Sequence, residues 1–137
     1  MEIKYTFEKN FSKNDIEELF LSVNWVSGQY PNRLYKALMN SSSVLTAWQD
    51  NNLAGLVRVL DDSEMTAYIH YVLVNPKYQG LGIGKNMIEK VIKKYQDYLY
   101  IEIMPEKRKN SEFYKKFGFQ VMTDGVAMQI CNFSNKM

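Results

Sequence analysis

Cysteine is nearly missing. Cys131 is the only one in 137 residues, so no intramolecular disulfide and no cysteine-based zinc site can be drawn, and no metal is expected. A reducing, cytoplasmic setting is the natural expectation. No apolar run approaches the roughly 18 residues of a membrane span, and Met1 to Tyr5 lacks the apolar centre of a signal peptide. Charge of one sign is not in excess either. Seventeen basic residues face fifteen acidic ones, for a formal net charge of +2, too little to imply nucleic-acid binding. Internal repeats, linkers and low-complexity segments are also missing. What is present is a 46% hydrophobic, 23% charged chain, the composition of a soluble globular protein. Its length suits one domain over residues 1–137.

The periodicity predicts an α/β (α+β) order. Ile3 to Phe7 alternates as a first strand, and Ser12 or Asn14 can cap an amphipathic helix carrying Ile16, Leu19, Phe20 and Val23. Pro31 can open a second helix with Leu34, Leu38 and Met39. Val44 to Trp48 and Leu53 to Leu60 flank Asp50-Asn51-Asn52 as a hairpin. A strand from Thr66 to Val74 follows, then a glycine-containing loop. The next helix places Met87, Ile88, Val91 and Ile92 on one face. Tyr98 to Met104 reads as a strand ended by Pro105, and Ser111 to Phe117 as a short helix closed by Gly118. The tail from Phe119 to Phe133 is expected to form two final strands.

The loop Gln79-Gly80-Leu81-Gly82-Ile83-Gly84 carries the chemistry. Glycines at alternate positions let the backbone turn tightly without Cβ obstruction. Because the loop feeds a helix N-terminus, its amides and the helix dipole make a seat for a phosphate or pyrophosphate. The spacing decides which one. A dinucleotide fingerprint counted from Gly80 and Gly82 needs a third glycine where Lys85 stands. A P-loop needs glycine where Gln79 stands and serine or threonine where Asn86 stands.

The pattern Q-x-x-G-x-G, preceded by Val72-Leu73-Val74-Asn75-Pro76-Lys77-Tyr78, resembles the core motif of the GNAT superfamily of acyl-CoA N-acyltransferases. Glu112-Phe113-Tyr114-Lys115-Lys116-Phe117-Gly118-Phe119 looks like that family's later F-Y-x-x-x-G-F element, and the order of elements agrees. The resemblance implies a mixed, mostly antiparallel sheet of six to seven strands flanked by about four helices. It also implies acetyl-CoA as donor. The backbone of Val72, Leu73 and Val74 would pair with the pantetheine arm as an added strand. Gln79, Gly80, Leu81, Gly82, Ile83, Gly84 and Lys85 would hold the pyrophosphate. Tyr114 stands where the family's thiolate-protonating tyrosine stands. Asn110 is a candidate contact to pantetheine or else a helix cap, since many relatives carry an asparagine where this chain has Lys107.

Transfer to an amine needs a neutral amine, a donor to the oxyanion and a proton for the leaving thiolate. A backbone N–H near Leu73 or Val74 suits the oxyanion. For the base, His70 lies on the strand before the loop, in the alternating face of Tyr68, Val72 and Val74, with an ordinary pKa near 6.5. Glu102 on the next strand is the other candidate. Trp25 and Tyr30, in a loop with Gly28, suit an aromatic-walled acceptor pocket. Arg58 either grips a substrate carboxylate or pairs with Asp61 or Asp62. Lysines of the C-terminal half, Lys115 and Lys116 among them, stand near the expected cofactor or simply cover solvated helix faces. These features favour transfer to the primary amine of a small molecule by direct attack in a ternary complex. The competing readings are a peptide or protein acetyltransferase and a non-catalytic acyl-CoA sensor. Neither nucleic acid nor membrane is an expected partner, and the resemblance allows a homodimer through the C-terminal strands.

Overall fold

The computed structural model describes residues 2–133. Strand β1 (Lys4–Thr6) leads into helix α1 (Lys13–Ser22). Ser12 starts that helix with a reciprocal cap: its hydroxyl accepts from Asp15 N–H at 3.0 Å, and Asp15 Oδ2 accepts from Ser12 N–H at 3.0 Å. Such a cap stabilises the helix by about 1 kcal/mol. A 3-10 turn over Val26–Gln29 joins α1 to helix α2 (Pro31–Met39), whose first residue is the proline expected there. Then come β2 (Ser43–Gln49), β3 (Asn52–Asp61) and β4 (Thr66–Val74). Helix α3 (Ile83–Lys94), β5 (Tyr100–Ile103) and the short helix α4 (Ser111–Lys115) complete the regular elements.

The sheet runs β1-β2-β3-β4-β5, antiparallel throughout except that β5 lies parallel to β4. Alternation divides its side chains between two cores. Leu45, Ala47, Val57, Val59, Ala67 and Ile69 pack against Ile83, Met87, Ile88 and Val91 of α3. Val44, Leu56 and Leu73 pack on the opposite face against Ile16, Leu19 and Phe20 of α1 and Leu34 and Leu38 of α2. Gly55 is what lets α3 approach β3: a Cβ there would stand 3.0 Å from Met87 Cε and 3.2 Å from the Leu73 carbonyl oxygen.

Two features of β4 set up the site. Its pairing with β5 covers only Thr66 to Ile69, so from His70 onward the two strands part. On the other edge, Arg58 pairs with Tyr71 and Val59 with Ile69, which leaves His70 as an inserted residue without a partner. That β-bulge shifts the phase of the strand. Val72 and Val74 turn to the α3 core, whereas His70 and Tyr71 both turn to the face of α1. His70 therefore shares its face with Tyr68, at 6.1 Å between ring centres, and not with Val72 and Val74 as unbroken alternation predicts.

The α/β class and the four helices agree with expectation, but the sheet has five strands among the described residues, not six or seven. Phe119 to Phe133 forms no strand. Its alternating Val126, Met128 and Ile130 are 82%, 90% and 88% exposed, and the one backbone bond within it closes a turn from Gly125 N–H to Met122 O at 3.1 Å. A strand exists only where a neighbouring edge takes its backbone bonds. The tail has the alternation but makes no such bond to β5.

Candidate active site

Backbone geometry builds the first half of the site. Asn75 Oδ1 accepts from Lys77 N–H at 3.0 Å, and a 3-10 turn over Pro76–Tyr78 buries Tyr78 and swings the chain off the end of β4. Gly80 and Gly82 then take φ of 84° and 77°, the left-handed region that costs other residues about 1–2 kcal/mol. No heavy atom lies within 4 Å of a Cβ built on either. Gly82 caps α3 without any side-chain bond. Among the described residues, no protein acceptor meets the amides of Gly80, Leu81, Gly82, Ile83, Gly84 or Lys85. Six unanswered donors at a helix N-terminus, above an open cradle, fit the pyrophosphate of an acyl-CoA.

The parting of β4 from β5 supplies the second half. Asn75 N–H donates to Ala54 O at 2.8 Å, so position 75 faces β3. By strand alternation, Val72 and Val74 then direct their N–H and C=O groups into the gap. Leu73 faces β3, so the amides open to an oxyanion on this edge are those of Val72 and Val74. Gln79 Nε2 donates to Val74 O at 3.5 Å and ties the loop to the strand end.

Tyr114 on α4 is buried, edge-on to Phe113 at 5.0 Å and Phe119 at 5.9 Å. Its hydroxyl has no partner among the described residues yet is not sealed from solvent. Burial pushes its pKa up to about 12, so the phenol remains a proton donor through the neutral range. Asn110 precedes α4 but makes no capping bond with its side chain.

The opposite face carries the acceptor candidates. Arg58 donates from Nε to Ser41 Oγ at 2.9 Å and from Nη1 to His70 Nδ1 at 2.9 Å, and its guanidinium lies 5.5 Å from the centre of the Tyr71 ring. A guanidinium only donates, so His70 Nδ1 is the acceptor and the imidazole proton sits on Nε2. Burial, and then the charge of Arg58, hold the His70 pKa below its usual range. Burial also lowers that of Arg58.

The sequence left Arg58 two fates, and pairing with Asp61 or Asp62 is not the one observed. Asp61 instead accepts from Tyr95 at 2.7 Å and Tyr98 at 3.4 Å, and Asp62 accepts from the amides of Glu64, Met65 and Thr66. Lys115 and Glu112 form an ion pair at 3.1 Å.

Trp25 joins this face, with its ring 5.8 Å from Tyr71 and Nε1–H donating to Glu106 Oε2 at 3.1 Å. Ser27 Oγ lies 2.7 Å from Tyr71 OH. Tyr30 is directed elsewhere: its hydroxyl donates to Phe133 O at 2.9 Å. Glu102 sits on β5 opposite Tyr68, with no partner for its carboxylate among the described residues. Sequence reasoning missed Tyr71, Ser41 and Glu106. Tyr71 alone had a signal, its place beside His70; the other two depend on contacts 17 and 81 residues apart in the chain.

Among the described residues no helix is long and apolar enough to cross a membrane, and no group of three metal-binding side chains gathers.

A parallel pair that splays beside a glycine loop at a helix N-terminus is the arrangement that the sequence resemblance implies. Residues 12–119 match the model of the acetyltransferase (GNAT) family. The chain is 34% identical over 132 residues to an uncharacterised N-acetyltransferase, ycf52, of Pyropia yezoensis, across 91% of this chain and 74% of that protein. Its fold is similar to that of a GNAT-family acetyltransferase of Streptococcus pneumoniae TIGR4, with TM-score 0.81 and 23% identity over 96% and 98% of the two chains. It is also similar in fold to glucosamine-6-phosphate N-acetyltransferase of Arabidopsis thaliana, with TM-score 0.68 and 14% identity over 98% and 100%. The chain belongs to the GNAT acetyltransferase family.

Proposed function

We propose that the chain transfers an acetyl group from acetyl-CoA to the primary amine of a small molecule, by direct attack in a ternary complex. The observation that carries this is the run of six unanswered amides from Gly80 to Lys85 beside the open edge of β4. Acetyl-CoA supplies a thioester already activated toward amines, so no enzyme nucleophile is needed. The amides of Gly80 to Lys85, with Gln79 bracing the loop, hold the pyrophosphate. The open edge at Val72 and Val74 pairs with the pantetheine arm, and a backbone N–H of that edge meets the negative charge developing on the carbonyl oxygen. Tyr114 donates its proton to the departing sulfur.

Proton removal from the amine falls to the acceptor face. His70 has its one basic nitrogen engaged by Arg58, whereas among the described residues no partner meets either oxygen of Glu102. Of the two, Glu102 is the one with oxygens open to take a proton, and from its place opposite Tyr68 it reaches the amine through water. Trp25 and Arg58 wall the acceptor side, whereas Tyr30, turned to Phe133, does not.

The test is release of free CoA from acetyl-CoA across a panel of small primary amines and peptides. Turnover on small amines is expected. Turnover on peptides alone would replace the small-molecule reading, and tight acetyl-CoA binding without turnover on any amine would replace the enzyme reading with a sensor.

A further inference from the structure

Charge is arranged on the acceptor face in a way that the amine alone does not require. On the β3 side stands Arg58, a half-buried cation whose three partners, Ser41, His70 and Tyr71, are all uncharged. Its Nη2 group has no acceptor among the described residues and is not sealed from solvent. A cation held out of water without a carboxylate is costly, and an incoming anion offsets that cost. On the β5 side stand two carboxylates. Among the described residues Glu102 has no partner, and Glu106 has none for Oε1 while Oε2 accepts from Trp25. Between them lies an aromatic strip of Tyr68, His70, Tyr71 and Trp25, each within 6.1 Å of the next between ring centres.

Arg58 lies opposite Tyr71 on β3 and Glu102 opposite Tyr68 on β5, so the cationic and anionic sides stand two inter-strand spacings apart across the sheet and two residues apart along it, about 12 Å. We infer that the acceptor is an ω-amino carboxylate: its carboxylate is gripped by Arg58, its alkyl chain crosses Tyr71, and its amine is presented on the β5 side near Glu102 and Glu106. A chain of roughly four to five carbons between the two ends matches this span. Arg58 can supply an Nη1 and Nη2 proton to the two oxygens together, the forked geometry that suits a carboxylate. An acceptor with a second cation at that end meets the guanidinium and is rejected. The inference rests on the proposed small-amine transferase reading and names its substrate class.

The test compares three acceptors of one length with the full chain at saturating acetyl-CoA: 6-aminohexanoate, hexylamine and 1,6-diaminohexane. A charge-assisted bond to Arg58 predicts kcat/KM for 6-aminohexanoate about ten- to a hundredfold above hexylamine, with the diamine lowest. Arg58→Gln should bring 6-aminohexanoate and hexylamine to within about twofold of each other, and Arg58→Glu should put the diamine first. Wild-type protein that uses hexylamine or the diamine as well as 6-aminohexanoate overturns the inference. So does an Arg58→Gln variant that keeps the wild-type preference. Binding is read separately, without turnover, by titrating CoA-loaded wild-type protein with 6-acetamidohexanoate and with N-hexylacetamide. Tighter binding of the carboxylate is expected, and equal binding overturns the inference even if the variants fail to fold. Loss of transfer to every amine would sink the small-amine transferase reading instead, leaving the binding comparison to decide the role of Arg58.

Discussion

Gly82→Ala separates a loop that merely turns from a loop that holds an anion. Gly82 has φ of 77° and an empty surround for a Cβ, so the substitution meets strain but no clash. The strain is about 1–2 kcal/mol. In a chain of this length that lowers Tm by about 3–8 °C, leaving a folded protein at room temperature. Relaxation of the strain would rotate the peptide units on either side, taking at least two of the six amides out of alignment. Bonds to a charged acceptor contribute about 1.5–3 kcal/mol each, so acetyl-CoA should bind about a hundredfold more weakly.

Gly84→Ala is the internal control. Its φ is ordinary, and its Cβ would meet only Phe113 Cζ at 3.7 Å. Replacing glycine inside a helix stabilises by up to about 1 kcal/mol, so Tm should hold or rise and affinity should stay within about threefold. Scanning calorimetry reads the first quantity and titration calorimetry the second. Wild-type affinity in Gly82→Ala, or equal losses in both variants, would refute the amide cradle.

Three further outcomes follow from the same geometry. Tyr114→Phe should cut kcat about ten- to a hundredfold with little change in the KM for acetyl-CoA, and because the phenol's pKa is pushed up to about 12, wild-type activity should show no loss from its ionisation up to pH 10; an unchanged kcat removes Tyr114 from the proton path. His70 resists protonation in the fold, so its contribution to stability is complete above about pH 6.5 and is lost as the pH falls below that. The urea midpoint of wild type should drop between pH 7 and 5 more than that of His70→Gln, and parallel slopes would contradict this. Gly55→Ala drives a methyl against Met87 and the Leu73 carbonyl and should lower stability by about 1–3 kcal/mol; a denaturant midpoint equal to wild type would show that α3 can retreat.

Local signals carried most of the fold. The cap at Ser12, the proline at the start of α2, the Asp50–Asn51 turn and the period of α3 are written within a few residues each. So is the glycine loop, where Gly82 of the motif takes one left-handed position and Gly80, at a place the motif leaves open, takes the other. The two tail strands failed because alternation in Val126, Met128 and Ile130 describes a side-chain pattern and not the partner a strand needs. The acceptor face was half legible. Arg58 and Trp25 could be singled out as residue types, but Ser41 and Glu106 reach them only through tertiary contacts. The bulge at His70 left no mark, since Thr66 to Val74 reads as one continuous strand of aromatic and β-branched residues.

That inserted residue makes the site depend on how many residues β4 contains as well as on which ones they are. Upstream of His70 the strand keeps one phase, with Ala67 and Ile69 in the α3 core; downstream it keeps the other, with Val72 and Val74 there. Removing position 70 altogether, rather than changing its side chain, would make Ile69 and Tyr71 consecutive, so the residues from Tyr71 to Val74 would keep both their faces and their partners on β3. What would go is the bulge itself, with the local bend and twist it gives β4 where the strand parts from β5. A substitution at position 70 thus probes a side chain while a deletion there probes the bend, and a library that varies the length of β4 would tell the two apart.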